Sequence, residues 1–288
     1  VPLQRFEAVE PHMGTLFRIE LFAPDAATAQ AAFQQAFARV TQLDQILTDY
    51  DQHSELSRVT RSAVQQPVPV SQELFAVLST AQQLADDSGG AFDITVGPLT
   101  HLWRAARKAH QPPGSDAIAQ AIARCGYRSM HLNPQQRTVI FDEEGMQLDA
   151  GAIAKGYAAD EALAVITRRG IRSALVAASG DLAFSDAPPG QSGWRIGLAD
   201  RVLVLSNGAV STSGDSEQHM DYNGVRYSHI IDPRTGMALK NSPLVSISGK
   251  RAIETDAAST AVSVLGAAEG ARLITRHPDL HIFLNSSR

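Results

Sequence analysis

The run Asp149-Ala150-Gly151-Ala152-Ile153-Ala154-Lys155-Gly156-Tyr157 puts a carboxylate, a glycine-rich turn and a lysine where a strand hands over to a helix. Val139-Ile140-Phe141 and Met146-Gln147-Leu148 read as strand before it, and Ala158 to Arg169 as helix after it. Small residues let the backbone approach an ion or a phosphate with no Cβ in the way. A helix start adds free N–H groups and a positive dipole end, and Lys155 adds a mobile positive charge. This is the chemistry of a metal-and-phosphate site. The same run would also serve as a plain strand-to-helix turn whose glycines relieve strain. It lacks the G-x-x-x-x-G-K-S/T and G-x-G-x-x-G orders of known phosphate loops.

Two further constellations carry chemistry. In Glu254-Thr255-Asp256-Ala257-Ala258-Ser259-Thr260-Ala261, Thr255 reads as a helix N-cap. Asp256 and Thr260 then share one helix face, about 5–6 Å apart at Cβ. A carboxylate and a hydroxyl are hard ligands suited to Mg²⁺ or Ca²⁺; alternatively, Asp256 complements the helix dipole and Thr260 is packed. In Tyr227-Ser228-His229-Ile230-Ile231-Asp232-Pro233-Arg234-Thr235-Gly236, Asp-Pro-Arg-Thr-Gly is turn chemistry. His229 is there either a general base close to neutral pH or a hydrogen-bonded residue at a strand end.

Ala178-Ser179-Gly180-Asp181 and Ser211-Thr212-Ser213-Gly214-Asp215 are small polar turns that could offer N–H groups to a phosphate or simply join strands. Gly89-Gly90-Ala91-Phe92-Asp93 could admit a flat ligand, or could end a helix and begin a strand. No G-x-S-x-G elbow and no H-E-x-x-H is present, and the nine histidines show no ligand spacing.

The elements that must position these residues follow from periodicity and capping. Met13 to Phe22 reads as an early strand, and Pro24-Asp25 opens a helix from Ala26 to about Leu47. Phe33, Phe37, Val40 and Leu43 give that helix one apolar face. Thr48 to Ser57 is polar and turn-like. Ser71 caps a helix from Gln72 to about Asp87, which Gly89-Gly90 ends. Gly90 to Leu99 passes from strand-like residues into a helix carrying Trp103, and Ser115-Asp116 starts another after Pro112-Pro113-Gly114. Met130 to Asp142 is a hairpin around Asn133-Pro134. Ser173 to Ala178 is a buried strand, and Asp181 to about Ser248 an antiparallel meander of short strands. Thr255 to Leu265 and Ala267 to Arg276 are the last helices, and Ile282-Phe283-Leu284 a last strand. Helices and hairpins are partly segregated, which predicts an α+β fold over a doubly wound parallel sheet.

Composition narrows the function. The 288 residues, 44% hydrophobic and 19% charged, are globular in character. A net charge of −5 without a basic block makes nucleic acid an unfavoured partner, and no apolar run approaches the roughly 20 residues of a membrane helix. The start at Val1-Pro2-Leu3 reads as a trimmed chain whose targeting segment has been removed. The one cysteine, Cys125, excludes an intrachain disulfide and a cysteine zinc cluster. It sits at the end of a helix and reads as a packing residue rather than a nucleophile.

Taken in order, the segments resemble the ApbE family of flavin transferases: Met13-Gly14-Thr15, Tyr50 with Ser54-Glu55-Leu56-Ser57, Gly90 to Leu99, Asp149 to Asp160, Ser179-Gly180-Asp181, Ser211 to Asp215, Ser228 to Gly236, and Asp256 to Thr260. Each block is weak alone, but eight in the family's order are specific.

The resemblance implies an ApbE-like fold of largely antiparallel sheets flanked by helices. It implies one catalytic domain over 1–288 with two intertwined subdomains and an FAD site between them. It also implies cleavage of FAD at its pyrophosphate, transfer of FMN to a Thr or Ser hydroxyl of an acceptor flavoprotein such as a subunit of a membrane redox complex, and release of AMP. Mg²⁺ is required in such enzymes, here held by Asp256, Thr260 and the Ala152 carbonyl. FAD would meet Met13, Tyr50, Ala91, Phe92, Asp93, Asp149, Lys155, His229 and Ile230. His229 would be the general base and Lys155 a catalytic cation, with Asp181 and Asp215 in support or at a second metal.

Two other outcomes stay open on the same residues: an FAD pyrophosphatase that uses water, and an FAD-binding protein without turnover. Retention of Asp256, Thr260, Lys155 and His229 argues against the last. Family members commonly carry Gly-Gly-Asp where this chain has Ser179-Gly180-Asp181. They usually face the periplasm, often lipid-anchored, which is the expected location.

Overall fold

A computed structural model describes residues 2–214 and 218–284. The chain opens with a hairpin of β1 (Gln4–His12) and β2 (Thr15–Ala23), turning at Met13-Gly14. The first of these strands escapes the sequence reading because it is an edge strand, with none of its residues buried and little apolar alternation to see. Asp25 caps α1 (Ala26–Leu47) by accepting from the Thr28 N–H at 2.7 Å. The polar stretch after it is not all turn, because α2 (Glu55–Ser62) starts inside it, capped by Ser54. Leu56 and Val59 are its only buried residues, too few to register as a period.

β3 (Val68–Pro69) leads to α3 (Gln72–Asp87), which Ser71 caps as expected. Gly90 to Thr95 does not form a strand. It crosses as a loop held by internal bonds, and α4 (Gly97–Ala109) and α5 (Ser115–Ile122) follow. The hairpin of β4 (Met130–Asn133) and β5 (Thr138–Phe141) is present, but Met146 to Leu148 is not a strand: it makes only an isolated bridge, through Gln147, to Val96.

α6 (Ala154–Arg168) begins four residues before the predicted start at Ala158, so Lys155 lies in its first turn. Next come β6 (Ala174–Ala178), β7 (Asp181–Phe184), β8 (Trp194–Gly197), β9 (Val202–Leu205), β10 (Gly208–Ser213), β11 (His219–Tyr222), β12 (Val225–Ile231), β13 (Ala238–Lys240) and β14 (Val245–Gly249). The region read as one meander is in fact divided among three sheets. The predicted last two helices are one element, α7 (Ala252–Thr275), broken at Gly266, and β15 (His281–Leu284) ends the described chain. Thr255 is not its N-cap: it lies inside the helix, with its hydroxyl on Ser211 at 2.8 Å.

The fold is α+β. Its main sheet has seven strands in the order β1-β2-β6-β7-β10-β14-β15, every neighbouring pair antiparallel. Alternation on β6 separates the two faces: Ala174, Val176 and Ala178 join the core under α1, α6 and α7, while Leu175 and Ala177 pack with Trp194 and Ile196 of the β8–β9 hairpin. A smaller core gathers Leu99, Trp103, Ala121, Met220, Ile231 and Ala238 from α4, α5 and the three-stranded sheet β11-β12-β13. No helix among the described residues is long and apolar enough to cross a membrane.

Candidate active site

A cleft of about 520 Å³ is walled by elements of both cores. It brings together all twelve residues singled out in the sequence as ligands or catalytic groups, which lie on six separate segments between Met13 and Thr260. Asp215 lies outside the described residues.

The charged end is built by two helices. Asp256, on α7, is 4% exposed and accepts the Gly156 N–H of α6 at 2.9 Å. Asp160, one turn further along α6, accepts the Ala252 and Ile253 N–H groups at 2.8 and 3.0 Å. It thus caps α7, whose own N-cap residue Arg251 makes no side-chain capping bond. Asp181, 5% exposed at the start of β7, faces the same end. Burial and the nearby Asp256 charge push its carboxyl up to about 8. Asp256 is raised as well, by burial, against the opposing pull of Lys155 and the Gly156 N–H. Burial opposes the Lys155 ammonium, but Asp256, Asp181 and Asp149 outweigh it and hold Lys155 charged. Its Nζ donates to the Gly151 carbonyl at 3.1 Å. The Thr260 hydroxyl is 3.4 Å from Ser213 Oγ.

These residues suit a hard divalent cation. Two buried carboxylates with one lysine between them are costly unless a cation joins them, and carboxylate, hydroxyl and carbonyl oxygens are the donors that Mg²⁺ takes. Among the described residues no three His, Cys, Asp or Glu side chains gather into a cage. Mg²⁺ commonly rests on one or two carboxylates plus water and phosphate oxygens, so this donor set fits it.

Asp149 is committed on both oxygens: Oδ1 accepts the Gly151 N–H at 2.8 Å and Oδ2 accepts Arg104 Nη2 at 2.7 Å. Asp93 is committed too. It accepts the Thr95 N–H and hydroxyl at 2.8 and 2.7 Å and the Tyr127 N–H at 2.9 Å, which locks the Gly90 to Thr95 loop. Burial nonetheless raises its carboxyl. Ala91, Phe92 and Ile230 are buried apolar wall, whereas Tyr50 is 80% exposed. Met13 sits in the first hairpin turn, its N–H on Asp44 at 3.2 Å.

His229 is exposed on β12. Tyr227 pairs with Lys240 and Ile231 with Ala238, so a four-residue step on β12 faces a two-residue step on β13. Such a bulge re-aims a side chain. His229 Nδ1 lies 3.2 Å from the Gln218 carbonyl. A carbonyl only accepts, so Nδ1 carries the proton there, which leaves the lone pair of the neutral ring on Nε2.

A sequence profile of the ApbE family matches residues 13–284. The chain belongs to the ApbE family. A curated FAD:protein FMN transferase of Treponema pallidum (strain Nichols) is 33% identical over 300 residues, 96% of this chain and 83% of that one. One of Escherichia coli (strain K12) is 29% identical over 286 residues, 94% and 81% of the two chains. The apo crystal structure of the Pseudomonas stutzeri flavinyl transferase ApbE superposes with a TM-score of 0.87 at 26% identity, over 100% of this chain and 93% of that one. The ApbE protein of Thermotoga maritima gives 0.88 at 27% identity, over 98% and 94%.

Within this ApbE fold Ser179 has a φ of 57°, in the left-handed region that glycine tolerates best. Its neighbour Gly180 has no such freedom to change, since a Cβ there would lie 2.7 Å from the Thr212 carbonyl oxygen. Four residues of this ApbE cleft region escaped the sequence reading: Asp49, His101, Arg104 and Arg107. The available signal was Asp49 beside Tyr50, and His101, Arg104 and Arg107 repeating at three-residue steps on a predicted helix. Cys125 is a packing residue, its Sγ on the Ala121 carbonyl at 3.3 Å and its thiol pushed up to about 12 by burial.

Proposed function

We propose that this chain transfers the FMN half of FAD to a threonine or serine hydroxyl of an acceptor protein and releases AMP, in the presence of Mg²⁺. As a member of the ApbE family it is an enzyme of flavin transfer. The observation that carries the finer reading is the joining, in one cleft, of the aromatic residues Tyr50 and Phe92 with the charged residues Lys155, Asp181 and Asp256, and of His229 with both. A cleft of this size and mixed lining suits a dinucleotide with a flat ring and a pyrophosphate.

In the reaction the acceptor oxygen bonds to the phosphorus on the FMN side, and the bond from that phosphorus to the bridging oxygen breaks. AMP leaves with the electron pair. When bound, Mg²⁺ neutralises charge on the pyrophosphate oxygens. Lys155, kept charged by its three carboxylate neighbours, binds the same group. His229 Nε2 takes the hydroxyl proton. Asp149, with both oxygens occupied, orients the Gly151 turn and Arg104 rather than accepting a proton. Asp256, Thr260 and the Ala152 carbonyl would hold the cation. The whole chain acts as one catalytic unit in the periplasm, and its acceptor is a flavin-carrying subunit of a membrane redox complex.

An assay of FAD turnover with Mg²⁺, with and without an acceptor bearing a candidate threonine, tests this. AMP that appears only with acceptor, together with covalent flavin on it, is the expected result. AMP and free FMN without acceptor would make the protein a pyrophosphatase, and no AMP in either case would make it a binding protein.

A further inference from the structure

Arg104 takes no part in the chemistry above, yet it touches three residues on two separate segments of the cleft. Nη2 donates to Asp149 Oδ2 at 2.7 Å, and Nη1 donates to the Asp49 carboxylate. The guanidinium carbon lies 4.6 Å from the centroid of the Tyr50 ring. One turn earlier on α4, His101 Nε2 is 3.1 Å from the same Asp49 oxygen. Asp149 is tied in turn to the Gly151 N–H, and Gly151 accepts from Lys155. One planar cation therefore connects the Tyr50 ring to the turn that carries Lys155.

Tyr50 is 80% exposed, so burial in the core does not fix its ring. The guanidinium over it does, covering one face of a ring that lines the cleft. Bridging two carboxylates while stacking on an aromatic ring needs the flat fork of arginine, which the point charge of lysine does not reproduce.

We propose that Arg104 is a positioning residue for FAD, holding the Tyr50 ring as a stacking surface in register with the Asp149–Lys155 turn. The inference rests on the FAD reading of the cleft.

FAD is titrated by fluorescence anisotropy, in EDTA and then in Mg²⁺, into the wild type, Arg104→Lys, Tyr50→Ala and the double variant, and kcat is measured at saturating FAD. Each single change is expected to raise the Kd about tenfold, and the double variant no more than about threefold beyond Tyr50→Ala, because the two residues act as one unit. The kcat of Arg104→Lys stays within about twofold of wild type. An effect of about 100-fold in the double variant would mean that Arg104 acts independently of Tyr50 and overturns the inference. So would a wild-type Kd in folded Arg104→Lys, or a fallen kcat with the Kd unchanged. Should Arg104→Lys not fold, Arg104→Gln takes its place under the same criteria. Failure of the wild type to bind FAD at all would instead remove the FAD reading itself.

Discussion

The Gly156 N–H, in the first turn of α6, donates to Asp256 Oδ2 at 2.9 Å across 100 residues of sequence. The contact exists because Gly156 has no side chain. A Cβ there would overlap the Ala252 carbonyl oxygen and stand 2.7 Å from Asp256 Cβ. The glycine-rich run and the Asp-Thr helix are therefore two halves of one device, and the close crossing of α6 and α7 sets the Asp256 carboxylate beside Lys155.

Gly156→Ala is expected to push α7 away from α6 and destabilise the protein by about 3 kcal/mol, through overpacking against backbone that cannot give. Turnover of FAD should fall with it even at temperatures where the variant is folded. A urea melt gives the first quantity and single-turnover AMP release the second. Wild-type stability would mean that the two helices have room to separate.

Asp256→Asn separates structure from chemistry. The amide oxygen can still accept the Gly156 N–H, but the ionisable group whose buried charge is unfavourable is gone. The melting temperature should match or exceed that of the wild type, while Mg²⁺-supported turnover falls about 100-fold or more. Undiminished turnover at limiting Mg²⁺ would refute a metal role for Asp256.

His229→Ala should slow turnover about 10²- to 10⁴-fold, as loss of a general base does. The FAD dissociation constant should stay within about threefold, because the ring is exposed at the cleft margin. If only binding weakens, His229 is a contact and not a base.

Asp160 predicts a pH dependence. Burial raises its carboxyl from 3.8 to about 6, against the two α7 N–H groups that it caps. The folded protein thus holds this proton more tightly than the unfolded chain. The contribution is fully present below about pH 4 and is lost as pH rises through about 6. Asp160→Asn cannot ionise, so its urea midpoint should change less over that window than the wild type's. Parallel profiles from pH 4 to 7 would show that Asp160 does not titrate there.

Ser179→Gly tests the cost of a side chain in the left-handed turn before β7. With φ at 57°, a side chain at 179 costs about 1 kcal/mol that glycine avoids. The variant should unfold at higher urea concentration by that amount. A lower midpoint would mean that the serine hydroxyl contributes more than the strain costs.

What the amino-acid order determined by itself is local. The 3.6-residue period and the Asp25 and Ser71 caps set α1 and α3 to the residue, and turn chemistry set the β4–β5 hairpin and the turn after β12. These signals work because capping, periodicity and turns involve residues within a few positions of one another. The order of the motifs was equally legible and pointed to the family. Signals failed where the local pattern was thin or ambiguous. α2 has two buried residues, β1 is a solvent-facing edge, and the small residues of Ala154 to Tyr157 suit a loop as well as a helix.

Only the tertiary structure decided which distant groups meet. Asp160 caps a helix that begins 92 residues later, Arg104 joins Asp49 to Asp149, and Gly156 lets Asp256 approach. Each of these pairings depends on shape and burial across helices and sheets. A hydrogen bond between distant residues leaves no periodic trace in the chain, because its partners are chosen by the packing of everything between them.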